Sequence, residues 1–250
     1  MKVSIITAVR NGVASIATTL NSVAEQTHPD IEHVIVDGAS TDGTVERVRA
    51  LATRPVRLQS EPDRGVYDAF NKGLALATGD LVAYLNCGDS YWSPRVVADV
   101  VRRFGAGDVD AVFGDLIIVD AEDTRVAVRR YRSSRFKPSR IAYGFMPAHP
   151  TLFLKRSVYE RYGGYDTSYR IAGDFEFIAR VFPDPSLRYA CLPDQLVRMP
   201  RGGLSTAGPR SNWIITREMQ RACAKNAIPT NLLKLLLRFP VKITEFLAPG

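Results

Sequence analysis

Carboxylates and amides recur in this 250-residue chain immediately after short apolar runs. Asn11 and Gly12 follow "VSIITAV", Asp37 closes "HVIVD", and Asn86 and Asp89 break the apolar run "DLVAYL" in "LNCGDS". A hard divalent cation takes oxygen ligands and keeps water or phosphate oxygens in its shell, so one or two protein carboxylates suffice for a site. Asp89 can supply one; a lone turn acid is the alternative. A loop, "EPDRGVYDAFNKG", crowds Asp63, Arg64, Asp68, Asn71 and Lys72 together. Arg64 suits a phosphate or a stacked base, and Gly65 a close backbone approach; a solvated helix N-terminus carrying acids is the alternative. Asp174 in "IAGDFEF" follows Gly173 at the expected start of a helix, where the dipole favours the ionised carboxylate that a general base must be. Glu176, two residues on, falls on another helix face.

The elements that must position these groups show a regular rhythm. "VSIITAV", "HVIVDG", "VRLQS" and "DLVAYLN" have strand length and composition, and residues 13–26, 42–53 and 66–77 have helical periodicity. Alternation of this kind predicts a parallel sheet, whose ligands gather beyond the carboxyl ends of the strands. Residues 8–11, 37–42 and 86–89 then share one rim. After about residue 105, "AVFGDLIIV", "TRVAVRRYR", "HPTLFLK" and "RYACLPDQLVRMP" predict strands of a mixed region that shapes a second substrate's pocket, with a helix over 173–182.

The totals narrow the classes of function. A net charge of +7 suits a phosphate-rich ligand or an anionic membrane face. Nucleic-acid binding is not expected, because no recognition module or aromatic-basic interleaving is present. Cys87, Cys191 and Cys223 are scattered, which argues against a disulfide framework or structural zinc and for a reducing compartment. "NLLKLLLRFPVKITEFL" spaces Lys234, Arg238 and Lys242 by four, which predicts a basic helical stripe. A terminal helix docked on the domain and a helix resting on a membrane surface are both open.

The succession "SIITAVRNG", "VDGASTDGT", "PDRGVYDAFNKGLALATGD", "YLNCGDS" and "HPTLFLKRSVYERYGGYDTSYRIAGDFEFIARV" resembles the family 2 glycosyltransferases over residues 2–205, and is most similar to exopolysaccharide (colanic-acid-type) and envelope-glycolipid members. The resemblance implies a GT-A fold: an α/β architecture with a Rossmann-like, mostly parallel central sheet flanked by helices, a mixed acceptor-side region and a C-terminal helical tail. It implies a nucleotide-sugar half over 1–105, an acceptor half over 106–205 and a tail over 206–250. Ala8, Asn11 and Asp37 would contact the nucleotide, Asp63 and Arg64 would complete the base pocket, and Asn71 and Asn86 would lie on the donor side. Asp89 would hold Mg²⁺ or Mn²⁺, with Gly88 where the family often has a second acid, as Gly38 stands where "VDDGS" has one. Asp174 matches the catalytic base; His149, Gly164, Glu176 and Arg201 are weaker candidates on the acceptor or donor-sugar side, Arg201 within the loop "RGGLST". The expected protein is a metal-dependent inverting glycosyltransferase that is cytoplasmic, either free or peripheral on the inner face of the cytoplasmic membrane. It would move a sugar from a nucleoside-diphosphate donor, UDP-sugar favoured, to a glycan, polyprenyl-linked or glycolipid acceptor. A catalytically silent nucleotide-sugar scaffold, motivated by Gly88, is the alternative; a sugar nucleotidyltransferase would need a glycine-rich basic phosphate loop that "TAVRNG" is not.

Overall fold

Buried apolar runs set the frame of the molecule, a computed structural model that describes residues 1–202 and 208–240. Strands β1 (Val3–Val9), β2 (Ile31–Asp37), β3 (Val56–Ser60) and β4 (Leu81–Tyr84) alternate with helices α1 (Ile16–Ala24), α2 (Thr44–Leu51) and α3 (Val66–Leu76). β1 pairs in parallel with both β2 and β4, and β2 with β3. Alternate residues of β1 and β4 face opposite cores. Ile6, Val82 and Tyr84 pack towards α3, while Ile5, Leu81 and Ala83 pack with Val97, Val100 and Phe153. A sheet buried on both faces reads as a continuous apolar run, which is why these strands are legible as such.

The second half adds β5 (Ser90–Tyr91), α4 (Val96–Gly105), β6 (Ala111–Val119), β7 (Ala127–Tyr131), β8 (Phe153–Lys155), α5 (Arg156–Tyr162), α6 (Gly173–Val181), β9 (Tyr189–Pro200), α7 (Pro209–Lys225) and α8 (Leu232–Leu236). The sheet runs β3-β2-β1-β4-β8-β6-β9-β5, with β7 alongside β6. Antiparallel pairs of β8 with β4 and β6 join a parallel half to a mixed half.

Two expectations are corrected. "HPTLFLK" is a strand only from Phe153; His149–Thr151 forms a 3₁₀ turn, since Pro150 has no N–H to give a ladder. The expected basic stripe of the tail does not form. The helix is interrupted by a turn at Leu237, and Arg238 is 2% exposed, its Nη2 donating to Thr216 Oγ1 at 2.8 Å and its Nη1 to Leu235 O at 3.0 Å. Lys242 lies outside the described residues. The outward residues of α8 and its C-terminal end are instead leucines: Leu232, Leu233, Leu236 and Leu237 are exposed, whereas Leu235 joins Met219, Ala222 and Cys223 of α7 in the main core. Among the described residues no helix is long and apolar enough to cross a membrane.

Candidate active site

Register brings the first polar loops together. Val9, Asp37 and Ser60 stand level at the carboxyl ends of β1, β2 and β3. Asp37 is fully buried; its Oδ2 accepts from Ser40 N at 2.9 Å and Ser60 Oγ at 2.7 Å, while Oδ1 has no partner. Asn11 adopts φ +51°, a left-handed conformation that asparagine tolerates, and its Oδ1 accepts from Thr41 N at 2.9 Å. Val13 N donates to Asp42 Oδ2 at 3.0 Å, so the loop after β1 is laced to the loop after β2. Behind them, Asp63 Oδ1 accepts from Gly65 N at 2.8 Å, and the other oxygen of Asp63 occupies the space that a side chain at Gly38 would need. A second acid at position 38 would collide with Asp63, which accounts for the glycine in "VDGAS". Arg64 points outward, its side chain 79% exposed and paired with Asp68 at 3.1 Å.

Leu85 N donates to Ile6 O, so the chain leaves β4 beside the end of β1 and turns at "NCGD". Gly88 has φ +94°, where a side chain is strained. That conformation, held by Thr19 Oγ1 accepting from Gly88 N at 2.9 Å, is the physical reason for a glycine here in place of an acid. Asp89 is 4% exposed, and its Oδ2 has no partner. Burial pushes its carboxyl up to about 8, against the opposing hydrogen bonds from Asn86. A buried carboxylate oxygen with nothing to bind is what a cation would satisfy, so the residues fit Mg²⁺ or Mn²⁺ held by Asp89 with help from Asn86. Among the described residues no group of three or more His, Cys, Asp or Glu converges, so the protein contributes few of the ligands.

Asp174 faces the same cleft. This is a cavity of about 1160 Å³ lined by Ala8, Asn11, Asn86, Asp89, His149, Asp174 and Arg201, among others. Asp174 sits in the first turn of α6, and its Oδ1 accepts from Phe175 N at 2.8 Å. Burial raises its carboxyl to about 6. At neutral pH it is therefore ionised, yet basic enough to take a proton. Arg10, Arg170, Arg198 and Arg201 also line the cleft, and guanidinium groups suit a diphosphate. His149 is buried, its Nε2 2.7 Å from Tyr165 Oη, and burial lowers it to about 4, so it lines the cleft as a neutral ring.

The family model for glycosyl transferase family 2 matches residues 4–163 of this chain. The chain belongs to glycosyltransferase family 2. A "PGL/p-HBAD biosynthesis glycosyltransferase" of Mycobacterium tuberculosis is 32% identical over 188 residues, covering 74% of this chain and 71% of that protein. An uncharacterized glycosyltransferase of the same organism is 35% identical over 182 residues, or 71% and 68% of the two chains. Staphylococcus aureus TarS 1–349 in complex with UDP shares the fold with TM-score 0.65 at 20% identity; the match covers 89% of this chain but only 65% of that one. Mannosyltransferase PcManGT from Pyrobaculum calidifontis, in complex with GDP-Man and Mn²⁺, matches with TM-score 0.63 at 23% identity, covering 97% and 80%. The curled, mostly parallel sheet is accordingly a GT-A fold.

Not every residue singled out in the sequence lines this cleft: Asp37 is fully buried behind it, and Asp63 and the outward Arg64 are not part of its lining. Asn71 Nδ2 donates to Tyr165 O and Asn71 Oδ1 accepts from Tyr165 N, both at 2.8 Å, and a side chain at Gly164 would collide with that same Oδ1. Both residues line a separate shallow depression and clamp α3 to the loop after α5. Glu176 is fully buried and pairs with Arg180 and Lys225 at 3.0 Å, so it braces α6 against α7. Of the loop "RGGLST", Arg201 lines the cleft and residues 203–206 lie outside the described residues.

The sequence reading missed Tyr67, Arg10, Arg170, Arg198 and Glu218. Tyr67 was within reach, one residue from the Asp68 already singled out. The arginines carry no spacing signal, and Glu218 sits in a helix with no motif.

Proposed function

We propose that the protein is an inverting glycosyltransferase that uses a nucleoside-diphosphate sugar. The observation that carries this reading is the pair of carboxylates in one cleft: Asp89 with an unpartnered buried oxygen at the end of β4, and Asp174 with a raised carboxyl at the start of α6. Asp174 takes the proton of an acceptor hydroxyl as that oxygen bonds to the anomeric carbon. The bond from that carbon to the donor's diphosphate breaks on the opposite face, and the nucleoside diphosphate leaves with the electron pair. A single displacement inverts the anomeric centre.

A divalent cation held by Asp89 and Asn86 would supply electrophilic stabilisation to the leaving group's charge. Arg201 and Arg198 line the same cleft as permanent cations. Ala8 and Asn11 line the cleft on the nucleotide side, and Asp37, Asp63 and Arg64, on the loops beside them, would complete the base pocket; Asp37 and Arg64 suit uracil, and TarS, with UDP and UDP-GlcNAc bound, supports a UDP-sugar first. His149 shapes the sugar side.

The acceptor is proposed to be a glycan or a lipid-linked glycan of the cell envelope, which the mycobacterial relatives favour. Trp213, 56% exposed, and the outward leucines of α8, with Lys234 and Arg217 beside them, would rest on an anionic membrane surface. The deciding experiment is a thermal-shift panel of UDP-, GDP- and dTDP-sugars with and without Mn²⁺, followed by turnover of the binding donor in wild type and Asp174→Asn. The variant should bind the donor and not turn it over. Binding without turnover in wild type would favour the silent scaffold, and turnover retained in the variant would refute the assignment of the base.

A further inference from the structure

The loop that delivers Asp174 to the cleft is held from α7. Glu218 Oε1 accepts from Arg170 N at 2.8 Å, and its Oε2 accepts from Ile171 N at 2.9 Å and Ala172 N at 2.7 Å. Three consecutive backbone N–H groups, just ahead of α6, thus converge on one carboxylate. Charge-assisted bonds of this kind are about twice as strong as neutral ones, and the same negative charge lies at the amino end of the α6 dipole.

From the opposite side, Tyr67 on α3 donates its only hydroxyl proton to Ile171 O and places its oxygen 3.5 Å from Asp174 Oδ1. Gly173 permits this approach: a side chain there would lie 2.7 Å from the Tyr67 ring. The strap is gripped through three N–H groups from one side and through the Ile171 carbonyl from the other.

The grip is one end of a longer stripe. Glu218, Arg221 and Lys225 recur at intervals of three and four along one face of α7. Lys225 pairs with Asp166 at 2.8 Å, and Arg221 donates to Ser168 O at 3.1 Å while covering the Tyr169 ring. Each successive turn of α7 holds a successive piece of residues 166–172, and Glu218 holds the piece adjoining the base.

We infer that Glu218 is a positioning residue for Asp174, fixing the 170–172 strap so that the Asp174 carboxylate is held at the acceptor hydroxyl; this rests on the reading of Asp174 as the base. Titratable groups facing Asp174 are Tyr67 from α3, Tyr165 from the loop after α5 and Glu218 from α7. Loss of the Glu218 charge removes one influence that raises the Asp174 carboxyl.

Glu218→Gln keeps the length but presents a single acceptor oxygen and no charge. With the donor selected by the thermal-shift panel, and Mn²⁺ present, kcat should fall at least ~10-fold, as for a displaced catalytic group. Donor Kd should stay within about twofold, because Glu218 holds only the backbone N–H of Arg170 while Arg10, Arg198 and Arg201 lie outside the strap, and the acid limb of the kcat profile should move to lower pH. Arg221→Ala, which loosens the same loop away from the strap, should leave that limb in place. Should Glu218→Gln fail to fold, Tyr67→Phe tests the other face of the strap, with the same expected loss of kcat and retained donor Kd. Unchanged kcat and pH limb in Glu218→Gln would overturn the inference, as would equal losses in Glu218→Gln and Arg221→Ala with the limb unmoved. If Asp174→Asn itself retains turnover, the base assignment fails instead, which separates the two results.

Discussion

Asp89→Asn tests the site at its least comfortable atom. In the free protein the Asp89 carboxyl is held up to about 8 by burial, against an ordinary 3.8. A carboxyl raised in the folded state stays protonated there, while the unfolded chain releases its proton above 3.8. Stability is therefore complete below pH 4, is lost progressively as pH rises towards 8, and is flat beyond. At about 1.4 kcal/mol per pH unit, the interval from 3.8 to 7 corresponds to about 4 kcal/mol as an upper bound, and water entering the cleft reduces it to about 2–4 kcal/mol. Asparagine has the same shape and does not titrate. The variant should melt with wild type at pH 4 and about 4–16 °C above it at pH 7, using about 2–4 °C per kcal/mol for a chain of this size. Mn²⁺ should close that gap by raising wild type alone, by about 2.7 kcal/mol at a hundredfold excess over Kd. Differential scanning calorimetry from pH 4 to 8.5, with and without Mn²⁺, reads both effects. A melting difference independent of pH, or an equal Mn²⁺ shift in both proteins, would refute the reasoning.

Other expectations follow from the same geometry. The kcat/KM profile should rise with pH through about 6 as Asp174 ionises, and Asp174→Asn should have no such limb. His33, buried with its Nε2 2.9 Å from Thr7 Oγ1, whose own proton goes to Leu85 O, is lowered to about 4 from 6.5 by burial. Between those values the unfolded chain binds more protons, so the contribution is complete above pH 6.5 and falls by about 3 kcal/mol as pH drops to 4; urea midpoints across that range should lose this slope in His33→Gln. Gly38→Ala should displace Asp63 and cost about 1–3 kcal/mol of overpacking, read by urea denaturation, with weaker donor binding. The double variant Leu233→Ser, Leu236→Ser should lower co-sedimentation with phosphatidylglycerol vesicles several-fold without changing the melting temperature; unchanged sedimentation would remove the membrane surface from the proposal.

What the sequence made legible follows the physics of each element. β1 and β6 have the limits read from their apolar runs, because a strand buried on both faces leaves an uninterrupted signature; β3, half exposed at the end of the sheet, also has the limits read from "VRLQS". The rim of Asn11, Asp37, Asn86 and Asp89 was equally readable, since parallel strands must release their chain at one edge. Roles that depend on which side chain meets which were not. Asn71 and Gly164, 93 positions apart, form a clamp that shows in neither local pattern, and Glu176 is drawn out of contention by Lys225, from an element with no motif of its own. The tail shows the same limit: spacing placed Arg238 beside Lys234, but a turn at Leu237 and an acceptor at Thr216 took the guanidinium inside.

Gly88 joins the two kinds of information. In the sequence it looks like a lost metal ligand; at φ +94° it is the residue that the turn requires, and the turn is what buries Asp89. The single acid is left with a carboxyl held near 8 and an unpartnered oxygen, so a bound cation would contribute more here than at an exposed pair of acids. An added acid should therefore not improve the site: Gly88→Asp, strained at positive φ by about 1–2 kcal/mol, should weaken the Mn²⁺-dependent rise in melting temperature. A larger Mn²⁺ shift in that variant would show instead that the turn tolerates a second carboxylate and that the glycine is a lost ligand after all.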